Sequence, residues 1–259
     1  MFSYYGSKSK VIDLYPSPKH KRVIEPFAGS ARYAMKYHWC DVLLVDKYEV
    51  VVNVWKWLQS CTAKDILDLP RMKQGDNVDN YDLPQVAKDF LGFIVTRGVE
   101  SPRKNVSSFV GDITPKLFDI SKKVSLIKHW EIRLGSYADI QNETATWFID
   151  PPYQFGGEHY IENNQSINFQ SLGEWCKSRN GQIIVCENTK ADWLPFRLMR
   201  EMTGSQHTTV EAIWSNLSHD FESFQLGLFT QPNTAPLCRY VTSPQIPFRV
   251  FGERKRKEF

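Results

Sequence analysis

The chain has 259 residues, with 32 basic against 29 acidic side chains for a net charge of +3, and 42% hydrophobic residues. That length allows one substantial core plus a smaller insertion, and the composition is globular rather than disordered or fibrous. No stretch approaches the ~18 apolar residues of a membrane helix and no basic-then-apolar leader opens the chain, so the protein is expected to stay where it is made, with no membrane partner.

The chain reads as an α/β protein. Arg22 to Phe27 is a buried apolar run that ends at the small residues Ala28-Gly29-Ser30, and a helix is expected from Ala31 to Tyr37. Asp41 to Asp46 is a second buried strand, followed by helical apolar spacing from Val50 to Leu58. Strand, glycine turn, helix, strand and helix in succession imply a parallel, doubly wound sheet. The texture changes from Gln59 to Lys128, where turn residues separate short helical pieces such as Pro84 to Thr96 and Pro115 to Ile127. Arg97 to Lys128 holds seven basic residues against Glu100, Asp112 and Asp119, four net positive charges. The segment 59–128 therefore reads as an inserted, mainly helical subdomain between 1–58 and 129–259. Strand patterns return at Ala145 to Ile149, Gln182 to Cys186, Thr208 to Trp214 and Phe224 to Phe229, the last two read as an antiparallel hairpin at the sheet edge. Arg254 to Lys257 reads as a solvated basic tail.

The five cysteines (Cys40, Cys61, Cys176, Cys186 and Cys238) are odd in number and lack C-x-x-C spacing, which fits reduced, buried thiols rather than a disulfide framework or a metal site. His129-Trp130-Glu131 has the H-x-E spacing of a zinc deaminase but no P-C-x-x-C partner, and Gly6-Ser7-Lys8-Ser9 lacks the upstream glycine of a phosphate loop. No metal is expected.

The most informative residues are Asp150-Pro151-Pro152-Tyr153, directly after a buried strand. Such a tetrapeptide arises by chance in a chain of this length with a frequency on the order of 10⁻³. In open α/β sheets ligands bind just beyond the carboxyl ends of the strands, where this motif sits. The residue types suit an acceptor amine whose lone pair is delocalised into a ring. The Asp150 carboxylate and the Pro151 carbonyl could each take one N–H and favour a pyramidal nitrogen. Pro152 keeps the preceding residue extended and removes a competing donor. Tyr153 offers a flat face on which an extracted base could stack.

With the segments before it, this motif resembles the Dam-like, alpha-ordered family of DNA adenine-N6 methyltransferases. Glu25-Pro26-Phe27-Ala28-Gly29-Ser30 is similar to that family's cofactor loop, with Ala31 where a second glycine is common, then Arg32. Tyr4-Tyr5-Gly6-Ser7-Lys8 is similar to its N-terminal aromatic and lysine segment, and the order of segments is the same. Leu134-Gly135-Ser136-Tyr137 falls where a third cofactor segment belongs, with Ser136 in place of a common Asp. The resemblance spans roughly 1–58 and 129–230. It implies a Rossmann-like methyltransferase sheet with an antiparallel edge hairpin and an inserted target-recognition subdomain. It also implies S-adenosyl-L-methionine held by Tyr4, Lys8, Glu25, Phe27, Ala28, Gly29, Ser30, Asp46 and Asp150. Asp46 ends the second strand, where an acid commonly accepts from ribose hydroxyls.

The implied partner is double-stranded DNA in a bacterial or phage-infected cell, met by a monomer or weak dimer in the cytoplasm. Arg97, Arg103, Lys104 and Asn105 are the candidate DNA contacts, because arginine pairs with guanine, asparagine with adenine and lysine with phosphate. Asp150→Ala is expected to abolish transfer with the fold intact. The alternatives are methylation of cytosine N4, RNA or a protein amide; a DNA-binding module without cofactor; and a dinucleotide oxidoreductase, which would leave Asp-Pro-Pro-Tyr unexplained.

Overall fold

The structure is a computed structural model that describes residues 1–8, 11–203 and 208–217. Strand β1 (Arg22–Glu25) leads through the glycine turn into helix α1 (Arg32–Lys36), then β2 (Asp41–Asp46) and α2 (Glu49–Ser60). The segment 59–128 supplies α3 (Ala63–Leu67), α4 (Gln85–Ile94) and α5 (Thr114–Ser121), with 3-10 turns at Val78–Asn80 and Val124–Ile127. Next come β3 (Glu131–Leu134), β4 (Ala145–Ile149), α6 (Phe169–Lys177), β5 (Gly181–Glu187), β6 (Arg197–Thr203) and β7 (Thr208–Ser215).

The seven strands form one sheet in the order β3-β2-β1-β4-β5-β7-β6. β1 to β5 pair in parallel; β7 runs antiparallel to β5 and to β6. The α/β, doubly wound reading with an antiparallel edge hairpin is what the structure shows, but the hairpin partner differs. β7 pairs with the preceding strand β6, and Phe224 to Phe229 lies outside the described residues, as do Cys238 and the basic tail. β3 and β6 were not anticipated.

The apolar runs make buried strands because both faces of the sheet are covered. Val23, Val42, Leu44, Phe148 and Ile184 join one core, while Ile24, Leu43, Val45, Trp147 and Val185 join the other. Helix α2 packs on the first face through Val51, Val54, Trp55 and Leu58, an i, i+3, i+4, i+7 stripe. Helix α6 covers the second face with Leu172 and Cys176; Asn168 caps its start by accepting from Ser171 N at 2.9 Å. Each fully buried large side chain, such as Trp55 or Trp147, contributes about 1.5–3 kcal/mol of apolar burial.

The segment 59–128 shares the core of the sheet. Ile66, Met72, Phe90, Val106, Ile113 and Leu117 belong to the same apolar cluster as Val23 and Trp55, and Trp57 meets Phe90 with ring centroids 5.2 Å apart. Backbone bonds also tie this segment to the N-terminus: Tyr5 N donates to Val99 O at 3.0 Å, and Gly98 N to Ser3 Oγ at 2.9 Å. Cys40, Cys61, Cys176 and Cys186 are buried. No helix of the described residues is long and apolar enough to cross a membrane.

Candidate active site

β1 and β4 are neighbours, and chain order runs away from them in opposite directions, so the crevice beyond their carboxyl ends is the sheet's switch point. β1 delivers Glu25 and the loop from Pro26 to Ser30 to that crevice; β4 delivers Asp150 to Tyr153.

Gly29 makes the tight turn possible. Its φ is +44°, its N donates to Asp46 Oδ2 at 2.9 Å and its O accepts from Trp55 Nε1 at 2.9 Å. A Cβ there would come within 3.1 Å of the Tyr4 ring, so glycine also lets that ring pack close against the turn. Ala31, in the second glycine position, is the only non-glycine described residue with positive φ, at +44°. A left-handed alanine costs roughly 1–2 kcal/mol, partly offset by the extra unfolded-state freedom glycine brings, about 0.4–1 kcal/mol. Ala31→Gly is therefore expected to raise the melting temperature by up to about 3 °C. Thermal unfolding checks this, and a lower value would mean that the buried methyl contributes more packing than it costs in strain.

Arg32 follows Ala31, and the structure gives it a task. Its Nε donates to Ser7 Oγ at 2.9 Å and its NH2 group to Phe2 O at 3.1 Å, while Ser30 Oγ bonds Ser7 Oγ at 3.2 Å. The N-terminal segment is thereby fastened over the loop from Pro26 to Ser30. This places Lys8 Nζ 2.8 Å from Asp150 Oδ1, with Gly6 O accepting from it at 3.2 Å and the Tyr153 ring centre 4.8 Å away. Lys8 is only 4% exposed.

The electrostatics follow from that burial. Desolvation pushes Asp150 up to about 6 against the downward pull of Lys8, which leaves it largely ionised at neutral pH. Burial disfavours the Lys8 ammonium, but Asp150 and Glu211 outweigh it and the pKa is raised, so the charge persists. Glu25 is pushed up to about 8 by burial, opposed by the Ala34 N–H that donates to its carboxylate at 2.5 Å. The Asp46 oxygens accept from the backbone N–H groups of Gly29 and Tyr48, each at 2.9 Å, and burial raises its pKa. Asp46 thus braces the loop as well as facing the crevice.

Two cavities meet at the Lys8–Asp150 pair. The first encloses about 830 Å³ of empty space including its open mouth, and its walls contain Tyr4, Lys8, Glu25, Phe27, Ala28, Gly29, Ser30, Asp46, Asp150 and Pro152. Every residue that the sequence assigned to a cofactor therefore lines this cavity. Tyr137 stands across from Phe27, ring centres 5.5 Å apart, and also lines it. Ser136 and Asp139 form a reciprocal cap on the turn 137–139, which occupies the acid of this segment. The second cavity, about 1100 Å³ of empty space, is lined by Tyr153, Phe155, Asn188, Lys190 and Glu211. Tyr5, Gly6, Lys8 and Tyr160 line both.

Sequence reasoning missed several of these residues. Glu187, at the end of β5, accepts from Gln154 N at 2.5 Å and Asn188 N at 2.6 Å, which locks the chain leaving the Asp-Pro-Pro-Tyr motif; burial pushes it up to about 7. An acid closing the apolar run Ile183 to Cys186 was the available signal. Glu211 was signalled only by its place between Val210 and Ala212. Tyr160 gave no signal.

Arg97, Arg103, Lys104 and Asn105 line neither cavity. They are exposed between α4 and α5. Arg103 pairs with Glu100 at 2.5 Å, Lys104 with Asp79 at 2.6 Å, and Asn105 Oδ1 accepts from Asn77 Nδ2 at 2.9 Å. Among the described residues, no group of three or more His, Cys, Asp or Glu side chains is placed to hold a metal ion.

No protein-family profile matches the chain, and no curated protein is a significant match. Solved structures do match. They include a candidate methyltransferase, yhhF, from Escherichia coli, 11% identical with a TM-score of 0.34, covering 80% of this chain and 78% of that one. A conserved hypothetical protein from Streptococcus pyogenes is 11% identical with a TM-score of 0.34, covering 76% and 87%. A candidate methylase, HI0767, from Haemophilus influenzae is 14% identical with a TM-score of 0.34, covering 76% and 80%. Likeness at this level assigns no activity, so function has to be argued from the site.

Proposed function

We propose that this chain is a DNA adenine-N6 methyltransferase dependent on S-adenosyl-L-methionine. The observation that carries the reading is the position of Asp150: a partly buried carboxyl after a central strand, on the wall of one cavity and paired with a lysine that also lines a second. A two-substrate transfer needs such an arrangement, with each partner in its own cavity and the reacting atoms brought in line between them.

The first cavity suits the cofactor. Its walls include the aromatic rings of Phe27, Tyr137 and Tyr4 beside the glycine turn at Gly29. Tyr4, Lys8 and the loop from Glu25 to Ser30 would hold the methionine end, and Asp46 the ribose. Bound S-adenosylmethionine supplies an electrophilic methyl group on a cationic sulfur. Asp150 accepts one N–H of the target amine and the Pro151 carbonyl the other, which directs the nitrogen lone pair at the incoming methyl. Pro151 and Pro152 are buried and keep that geometry stiff, while Tyr153 presents its ring to the extracted base.

Duplex DNA would lie across the face carrying 59–128, the proposed target-recognition subdomain between the catalytic segments 1–58 and 129–259. Arg103, Lys104 and Asn105 would exchange their present partners for phosphates and base edges. Arg97, exposed and without an ion pair among the described residues, is free to meet a phosphate at once. The link between Val99 and Tyr5 would pass that contact directly to the segment bearing Lys8.

Transfer of labelled methyl from S-adenosylmethionine to unmethylated duplex DNA, followed by nucleoside analysis, tests the reading. N6-methyladenine is the expected product. N4-methylcytosine, or label only in RNA or protein, would move the acceptor, and absence of cofactor binding would overturn the enzyme.

A further inference from the structure

Glu211 is 5% exposed on β7, and three side chains from distant parts of the chain converge on it. Tyr153 Oη donates to its Oε2 at 2.7 Å, Tyr15 Oη donates to the same oxygen at 3.4 Å, and Lys8 Nζ lies 4.0 Å away. A carboxylate buried in a strand is costly unless it is partnered, and here every partner belongs to the Asp150 surroundings. Tyr15 is itself fixed edge-on against Phe148 of β4, ring centres 5.0 Å apart.

We propose that Glu211 is the positioning residue of the acceptor site: it anchors the Tyr153 ring by its hydroxyl and offers the Lys8 ammonium a second anion, so that Asp150 is released to take the acceptor N–H. The proposal rests on the methyl-transfer reading. An ammonium carries three donors. Asp150 and Gly6 O occupy two of them, and the nearest further anion is Glu211. A shift of Nζ by about 1 Å converts the 4.0 Å separation into a hydrogen bond. The long lysine side chain accommodates that shift without moving the backbone. Asp150 then keeps its charge but loses the competitor for its lone pairs.

Besides Lys8 and Glu211, the titratable groups that face Asp150 are Glu25, Glu187, Cys186, Tyr15, Tyr153 and Tyr160. Lys8 alone pulls Asp150 down, while Glu211 pushes it up.

Glu211→Gln keeps an acceptor for the tyrosine hydroxyls and removes the charge; Glu211→Ala removes both. The expected result for Glu211→Gln is a roughly tenfold lower kcat at pH 8 together with an acid limb displaced to lower pH, a combination that a merely structural defect would not produce. Glu211→Ala should lose roughly another tenfold in kcat, with the KM for S-adenosylmethionine unchanged. If it does not fold, Tyr153→Phe removes the same anchor and should lower kcat similarly. In the ligand-free protein, carbon-13 NMR of labelled aspartate follows the Asp150 carboxyl, assigned with Asp150→Asn, and its midpoint should fall in Glu211→Gln. An unmoved midpoint with unchanged kcat overturns the proposal. A moved midpoint in a protein that transfers no methyl group supports the arrangement around Glu211 and sinks the methyl-transfer reading alone.

Discussion

Asp150→Asn is expected to lower methyl transfer at least a hundredfold, the usual scale for removing one preorganised polar partner of a transition state. The amide retains one acceptor oxygen but presents a donor where the amine must also donate, and the charge that strengthens the bond is gone. The KM for S-adenosylmethionine should change far less than kcat, because the walls of the first cavity remain. Asp150→Ala should be as inactive and less stable, since Lys8 would then have Glu211, 4.0 Å away, as its nearest anion. Circular dichroism and single-turnover transfer on both variants check this, and substantial turnover by Asp150→Asn would remove Asp150 from the chemistry. The wild-type acid limb should fall near pH 6, where burial has placed the carboxyl, with activity lost as the group takes up its proton.

Lys8→Met carries the second large effect. Breaking a buried ion pair by removing one partner costs about 3–5 kcal/mol, and the 22% exposure of the Asp150 side chain brings the expectation to about 2–3 kcal/mol. The cost has a pH signature. Without the cation, Asp150 rises further above its unfolded value of 3.8. Between that value and its new folded pKa the native state binds more protons than the unfolded one, so stability falls as pH rises through the window. The deficit of Lys8→Met should therefore be largest above pH 7 and shrink toward pH 4. Denaturant unfolding at both ends of that range measures it; a deficit independent of pH would mean that lost packing of the lysine stem, not the ion pair, sets the cost.

The parts of the fold that were legible in the sequence are those with both faces buried. Arg22 to Glu25, Asp41 to Asp46, Ala145 to Ile149 and Gln182 to Cys186 are apolar runs because alternate residues enter two cores. β3 and β6 lie at the sheet edges. β3 is half exposed, and β6 carries Arg197, Arg200 and Glu201, so neither has the hydrophobic signature of a strand. At the site, chemistry written in short contiguous segments was readable: Tyr4 to Lys8, Glu25 to Ser30, Asp46 and Asp150 to Tyr153 do converge. What depends on partners far along the chain was not. The roles of Arg32 and Glu211 exist only once the N-terminal segment is laid over the sheet. Likewise, nothing local to Lys104 and Asn105 shows that each already has a partner in Asp79 or Asn77, whereas Glu100 stands just before Arg103 in the chain.

Tyr5, Gly6, Lys8 and Tyr160 belong to both cavities, so the partition between them is a single layer of side chains. Gly6 holds the thinnest place, for a Cβ there would collide with the Tyr160 hydroxyl. On the proposed methyl-transfer reading, an inhibitor that joins an adenosine to a second purine through a short tether passing beside Lys8 would engage both compartments while losing its translational freedom once. Its far half would meet the Tyr153, Asn188 and Glu211 walls.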